Sequence, residues 1–298
     1  MDLSSIAALL RRNEEEKFNP LGIDRRSFSE WAEGLEMAKG GEVIFYTGGL
    51  YQIAPHIDFL VSAMKIVPGS LSKGLAKIGG RFSSSISRIT SKKKRERFNK
   101  IVRKIFLLVR DKIPDIGYLW DEESYSGALY YDMGMDSLFE RHAERVVEVM
   151  KRNGVRTVVT IDPHTYHVLR DVFPKYTKAD FEVKHYMELL DGSISLEGHV
   201  VHDPCYLVRW SGLLDVFRRV VSGVEEPEES GLTANCCGGP LESIFPEMAE
   251  SLAEKRVEEL AAVSKRIVTA CPICLVNLGR VCDRLGAQVL DVAEVLEV

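Results

Sequence analysis

The cysteines of this chain are concentrated in its last third. Five of the six lie in three short motifs, and none precedes residue 205. The first motif ends in one cysteine, the second holds an adjacent pair, and the third has Cys-x-x-Cys spacing. The five residues are Cys205, Cys236, Cys237, Cys271 and Cys274. Cysteines that only filled a core would be scattered along the chain, so this grouping indicates metal ligands.

The thiolate is a soft, anionic ligand that suits iron–sulfur clusters or zinc. A Cys-x-x-Cys turn directs two sulfurs at one metal or at neighbouring metals, whereas the adjacent Cys236 and Cys237 should point in different directions. A tetrahedral zinc site gains little from such a pair, but a cluster of several irons can use both sulfurs. A disulfide framework is typical of short, cysteine-rich secreted chains. The pattern therefore favours an iron–sulfur cluster over zinc, and either metal over disulfides.

Taken together, the three motifs resemble the CCG cysteine-rich domain found in the B-type and D-type proteins of heterodisulfide reductase. The same domain occurs in iron–sulfur subunits of anaerobic glycerol-3-phosphate dehydrogenase and of lactate- and glycolate-oxidising systems. That family usually carries two such domains in tandem, and in heterodisulfide reductases each set of five cysteines resembles a holder of a non-cubane 4Fe–4S cluster. The resemblance implies that the five motif cysteines bind one 4Fe–4S cluster, in either a non-cubane or an ordinary cubane form.

The resemblance also implies a function, namely an iron–sulfur electron-transfer subunit of a heterodisulfide-reductase-like oxidoreductase complex. The first 40 residues lack the cysteines of a built-in ferredoxin, so a ferredoxin-like subunit or a flavoprotein is the expected partner. Heterodisulfide reduction itself is disfavoured, because the family acts with two clusters and this chain has cysteines for one. Two alternatives stay open, and with them the question of whether the chain is itself an enzyme. One is a single-cluster thiol–disulfide reductase, and the other is an interaction module stapled by zinc.

Size and composition are those of a soluble globular protein with room for two domains. The chain has 298 residues, of which 45% are hydrophobic and 28% charged. No apolar run approaches the length that spans a bilayer, and Ile6–Leu10 is too short for the core of a signal peptide. We expect a cytoplasmic protein, since thiols stay reduced and clusters survive there.

One segment is strongly basic, although the chain as a whole has a net charge of −5. Residues 73–112 contain fourteen Lys or Arg against two acidic residues, a balance of +12 that leaves −17 for the rest. Apolar residues recur there at helical spacing, which predicts a basic amphipathic helix over about 92–110. Such a helix suits a membrane subunit, an acidic partner or an anionic membrane surface on the cytoplasmic face, or else it is a solvated cover of the domain. Nucleic acid is disfavoured because aromatic platforms and recognition motifs are missing.

Alternating strand and helix patterns predict an α/β fold of two tandem, pseudo-symmetric lobes with mainly parallel sheets. A helical extension is expected at 1–40, with a short helical stretch, a polar break at Arg11–Lys17 and a helix over 27–38. A further helix is expected to begin near Pro55. A degenerate CCG-like lobe follows at 41–192, with a basic helical insertion at about 73–112. The intact CCG lobe with the cluster site occupies 193–298.

The second half repeats the first. Gly49 falls where Cys205 lies, residues 125–127 match 236–238, and residues 162–165 match 271–274, so the scaffold is kept while the cysteines are lost. A pseudo-two-fold would bring a set of polar residues near the cluster: Tyr125, Ser126, Asp162, His164, Thr165, Tyr166 and His167. They would form a substrate or electron-acceptor pocket, or a His–Asp metal site. The interpretation that we favour is that they cap helices, as Asp162 before Pro163 is placed to do.

Three further residues lie close to the motifs. His202 and Asp203 precede the first cysteine, where they either tune the cluster, deliver a proton or only shape the turn. Cys282 lies eight residues beyond Cys274, and we expect it to be a buried thiol that binds no metal.

Overall fold

The computed structural model describes residues 3–66 and 90–296. Its strands form sheets of four, two and three strands in which every pairing is parallel. In chain order they are β1 Val43–Tyr46, β2 Gly117–Tyr118, β3 Thr157–Thr160, β4 Glu182–His185, β5 Ile194–Ser195, β6 Val200–Val201, β7 Val221–Ser222, β8 Arg266–Thr269 and β9 Gln288–Asp291. The predicted α/β class with parallel sheets is confirmed.

Helices follow most of the strands, as the crossovers of parallel strands require. They are α1 Leu3–Lys17, α2 Leu50–Ile66, α3 Lys92–Lys112, α4 Ala128–Asp132, α5 Asp136–Arg152, α6 Pro163–His167, α7 Phe173–Tyr176, α8 Leu214–Val220, α9 Pro246–Val263, α10 Pro272–Cys282 and α11 Val292–Val295. Across the described ranges, none of the helices combines the length and apolar character that crossing a bilayer demands.

The two larger sheets share a strand order. The first runs β2-β1-β3-β4 and the second runs β6-β8-β9, so β1-β3-β4 and β6-β8-β9 correspond. The middle strand of each pairs along its whole length with the last strand. Strands β3 and β8 each bury three of their four residues, as expected for strands that helices cover on both faces. The backbone thus repeats as the sequence does, while the division into lobes at 192 and 193 stays a prediction.

Helix α3 is the basic amphipathic helix that the spacing predicted. It buries one apolar face made of Phe98, Ile101, Val102, Ile105, Phe106 and Val109. Part of its positive charge is used within the protein, because the Arg97 guanidinium donates to both carboxylate oxygens of Glu294 at 2.8 and 2.7 Å. These contacts fasten α11 to α3. Residues 73–89 of the predicted insertion lie outside the described residues.

The N-terminal elements differ from two predictions. A polar break was expected at Arg11–Lys17, but α1 continues to Lys17 because Glu14 is buried. Its carboxylate accepts hydrogen bonds from His142 Nδ1 at 2.8 Å and the Tyr130 hydroxyl at 2.9 Å. The helix predicted over 27–38 is instead a 3₁₀ helix, Arg25–Ala32, capped by Asp24 through the backbone N–H of Arg26.

Helix α2 also begins earlier than the proline suggested. It starts at Leu50, with Pro55 inside it. Gly48 and Gly49 both have positive φ, 57° and 72°, which lets the chain turn directly from β1 into the helix.

The two halves share one continuous core. Helix α2 packs against α10, and the Tyr51 hydroxyl donates to Asp291 Oδ2 at 2.7 Å. Both groups are fully buried. The first half therefore packs directly against the helix that follows Cys271.

Candidate metal centre

Three segments bring the cysteines of the motifs to the carboxyl end of the second large sheet. Cys205 follows β6 and begins a π-helical turn, Tyr206–Trp210. Cys271 follows β8 as the residue before α10, and Cys274 lies in the first turn of that helix. The pair Cys236-Cys237 lies in a loop that Gly238 ends at a φ of 82°. Ligands beyond strand ends are typical of sheets of this type.

The five thiols contact one another in a continuous order. Side-chain hydrogen bonds join Cys205 to Cys236, Cys236 to Cys237, Cys237 to Cys274 and Cys274 to Cys271. All six cysteines of the chain are free, so none of them forms a disulfide in this structure. Cys237, Cys271 and Cys274 are buried, whereas Cys205 and Cys236 are partly exposed. The group therefore has one open side, formed by the first two motifs.

Ionisation of these thiols is strongly interdependent. Hydrogen bonds from Cys205 and Cys237 lower the pKa of Cys236. Burial alone would raise the pKa of Cys271, but the Cys274 thiol and the His164 ring lower it well below its usual range. A hydrogen bond to the neighbouring thiolate, together with burial, raises the pKa of the other three, Cys205, Cys237 and Cys274. Five thiolates need positive charge among them, and metal ions supply it.

His202 lies beside this group. A ring nitrogen of His202 and the sulfurs of Cys237 and Cys274 lie within 4.8 Å of one another. Nδ1 accepts a hydrogen bond from Arg256 Nε at 3.2 Å, while the buried Nε2 has no partner among the described residues. An arginine only donates, so Nδ1 is the acceptor and Nε2 carries the proton. Burial, with Arg256, lowers the pKa of His202 to about 3, which keeps the ring neutral.

Asp203 has a positioning role in this geometry. Its buried carboxylate accepts from Arg218 at 2.7 and 2.9 Å and from the backbone N–H of Gly231 at 2.7 Å. Gly231 begins the segment that leads to Cys236, so Asp203 ties the turn at Cys205 to the loop of the cysteine pair. Sequence reasoning did not find Arg218 or Arg256, since neither stands near a motif.

From the first half of the chain, His164 reaches the cysteines. Its side chain hydrogen-bonds Cys271, and its ring stacks on Tyr206 with centroids 4.0 Å apart. The Tyr206 hydroxyl in turn donates to Asp132. Burial would lower the pKa of His164, but Cys271 and the carboxylates of Asp132 and Asp162 raise it to about 9. Tyr206 and Asp132 carried no sequence signal, because their partners lie far along the chain.

The other polar residues predicted near the cluster bind elsewhere. Asp162 caps α6 by accepting from the backbone N–H of Thr165 at 2.9 Å, as the favoured interpretation required. The Tyr125 hydroxyl accepts a hydrogen bond from the backbone N–H of Leu129, and the backbone N–H of Ser126 donates to the carbonyl oxygen of Gly48. The Tyr166 hydroxyl accepts from Arg170, and the His167 ring hydrogen-bonds Asp171. Of the seven residues, His164 is the one for which a hydrogen bond to a cysteine is observed within the described ranges.

The first-half positions that align with the cysteine site are tightly packed around two glycines. A Cβ at Gly49, the position that matches Cys205, would lie 2.6 Å from Phe28 Cε2. A Cβ at Gly48 would lie 2.1 Å from Thr165 Oγ1, and Thr165 matches Cys274. The side chains of Phe28 and Thr165 therefore occupy the space beside these two glycines.

The residues of the second half fit a metal group by the chemistry of their donors. Five soft sulfur donors from three segments converge, and Asn277 Nδ2 holds the loop by donating to Cys237 O at 3.2 Å. A Cβ at Gly239 would lie 2.4 Å from Ile273 Cγ2, so glycine allows the loop of the cysteine pair to approach α10 closely. Cys282 lies at the far end of α10, where burial raises the pKa of its thiol to about 11.

Comparisons with known proteins agree with this site. Residues 199–279 match the family CCG, described as Cysteine-rich domain. The chain is 31% identical over 179 residues to the Probable iron-sulfur-binding oxidoreductase FadF of Bacillus subtilis, covering 54% of this chain and 25% of that protein.

Two further relatives extend this comparison. The chain is 29% identical over 203 residues to the D-type component of the dihydromethanophenazine:CoB–CoM heterodisulfide reductase of Methanosarcina mazei, covering 60% of this chain and 50% of the relative. It is 26% identical over 224 residues to the Probable membrane-anchored ferredoxin of Chromohalobacter salexigens, covering 67% and 33%. The chain thus spans a quarter to a half of these relatives. The resemblance predicted from the three motifs is confirmed: residues 199–279 match the CCG cysteine-rich domain, and the chain is similar to iron–sulfur oxidoreductases and heterodisulfide reductase subunits.

Proposed function

We propose that this chain is an iron–sulfur subunit that transfers electrons within a heterodisulfide-reductase-like oxidoreductase complex. One 4Fe–4S cluster is held by Cys205, Cys236, Cys237, Cys271 and Cys274. The observation that carries the proposal is that five free thiols from three separate segments contact one another. Similarity to relatives named as iron–sulfur and heterodisulfide reductase proteins supports it. When bound, the cluster would supply one-electron redox chemistry.

The count of sulfurs bears on the type of cluster. Four thiolates satisfy an ordinary cubane, so a fifth suggests a non-cubane cluster or a spare sulfur beside a reactive iron. The open side of the group exposes Cys205 and Cys236, while Cys271 and Cys274 anchor the buried side on one helix. The first half has no cysteine, so the proposal assigns a single cluster to this chain.

The proposed redox partners of this chain depend on how electrons would reach its single cluster. A flavoprotein or a ferredoxin-like subunit would deliver or accept them at the exposed side. Helix α3 offers a second contact, because the side chain of Lys92 is 83% exposed and Lys93 and Lys94 lie beside it at the exposed start of the helix. We propose that this end meets a membrane subunit or an anionic surface on the cytoplasmic face of the membrane. Similarity to a protein named as a membrane-anchored ferredoxin supports this.

A thiol–disulfide reductase that uses the single cluster is the second candidate. Partial exposure of Cys205 and Cys236 favours it, because a disulfide could reach these sulfurs. If the reduced protein is mixed with a small disulfide, this function predicts reoxidation of the protein with release of thiol. A pure electron carrier would stay reduced until its redox partner is added.

A zinc-stapled module is the third candidate. His202, Cys237 and Cys274 are the observation in its favour, because their ligand atoms lie within 4.8 Å of one another. Against it, the proton placed on His202 Nε2 blocks the nitrogen that would have to bind zinc.

Metal content separates the zinc module from the two redox candidates. The full chain, purified without oxygen, is expected to hold about four irons and to give EPR and Mössbauer spectra of an iron–sulfur cluster. Cys271→Ser should lose most of the iron. Cys282→Ser, on the same helix but outside the motifs, is the matched control and should keep it. Zinc alone, even after cluster reconstitution, would contradict the electron-transfer proposal.

A further inference from the structure

The half of the chain without cysteines contributes a side chain to the cysteine site. His164 lies at the start of α6, at the carboxyl end of β3, and is buried, with 6% of its surface exposed. It hydrogen-bonds the Cys271 side chain. Cys271 is buried at the end of β8, in the other large sheet. The contact therefore crosses from one sheet to the other, directly at a proposed ligand.

Two neighbours fix the orientation of the His164 ring. Tyr206 stacks on it at 4.0 Å with 28° between the planes, and the Tyr206 hydroxyl is held by Asp132. Tyr206 directly follows Cys205, so the contacts run from the first motif around to the third. A stacked and hydrogen-bonded ring is preorganised and loses little entropy when it donates.

We propose that His164 is a positioning residue of the cluster, whose ring N–H donates to the sulfur of Cys271 and makes the cluster easier to reduce. The inference rests on the proposed function, because a cysteine that binds iron has no proton of its own. Histidine must then supply the proton of the hydrogen bond. Reduction adds negative charge to the cluster and its sulfurs. The N–H group therefore stabilises the reduced state more than the oxidised state and raises the midpoint potential.

The test is a redox titration of the full chain, carrying its cluster and followed by EPR. His164→Leu removes the donor and is expected to lower the equilibrium constant for reduction of the cluster about tenfold. For a one-electron couple this is a midpoint potential about 59 mV more negative. His164→Gln keeps an N–H donor and should recover part of the shift. His167→Gln is the matched control, because His167 lies on the same helix and touches Tyr206 but hydrogen-bonds Asp171. Its midpoint should equal that of the wild type.

The outcomes are distinguishable. An iron-loaded His164→Leu protein with the wild-type midpoint and EPR signal overturns the inference and leaves the proposed function intact. An equal shift in His167→Gln also overturns it, since disturbed packing would then explain both. If His164→Leu takes up no iron, His164→Phe replaces it, because this ring can still stack on Tyr206 but has no N–H group to donate. A wild-type chain that binds no iron after reconstitution overturns both proposals.

Discussion

The contacts of Asp203 allow a quantitative prediction. Its side chain is fully buried and accepts two hydrogen bonds from Arg218 and one from the backbone of Gly231. Breaking a buried ion pair by removing one partner costs about 3–5 kcal/mol. Arg218 is 22% exposed and keeps Glu226 at 2.8 Å, which places the loss at the low end. Asp203→Ala should therefore lower the free energy of unfolding by about 3 kcal/mol.

The assay is urea unfolding of the reduced, metal-free chain, combined with iron uptake of the same variant. Iron uptake should fall as well, because the anchor between the Cys205 turn and the Cys236 loop is lost. Asp203→Asn keeps an acceptor for Gly231 and should lose about half as much stability. Glu226→Gln removes the exposed partner of Arg218, 45% exposed, and should cost about 0–1 kcal/mol. A loss below about 1 kcal/mol for Asp203→Ala, with iron uptake unchanged, would refute this account of the anchor.

Three further predictions concern residues outside the cysteine site. Burial raises the pKa of Glu123 to about 8, so its contribution to stability is complete below the usual glutamate pKa of 4.5 and is lost as pH rises towards 8. Thermal unfolding between pH 5 and 8 should show a flatter profile for Glu123→Gln. Gly49→Ala, at positive φ and against Phe28, should cost about 1–3 kcal/mol in urea unfolding. Replacing Lys92, Lys93 and Lys94 by glutamate should abolish cosedimentation with anionic vesicles, and unchanged binding would count against the membrane contact.

The sequence predicted local features of the fold well. Strands such as β3 and β8 are rich in β-branched residues, and the amphipathic spacing of α3 identified its buried face. In each case the residues that predict the element all lie within that element. The three motifs likewise led to a group of thiols that the structure brings into contact, although their role as ligands stays a prediction.

What the sequence did not predict depends on partners far along the chain. The polar residues near the end of α1 suggested a break, but Glu14 is stabilised by His142, 128 positions later. In the same way Asp203 pairs with Arg218 on a helix without any motif. No periodicity or spacing records such pairs, because each partner alone is an ordinary polar residue.

Contacts between distant parts of the chain also join the first half to the cysteine site. In the first half, Phe28 fills the space beside Gly49, the position that aligns with Cys205. Losing the half itself would uncover the face of α10 that packs on α2, and would leave Asp291 buried without the Tyr51 hydroxyl. Helix α10 carries Cys274 and follows Cys271, so the packing that stabilises the fold also fixes the buried side of the cysteine site. The cysteine site therefore depends on the first half of the chain for both stability and position.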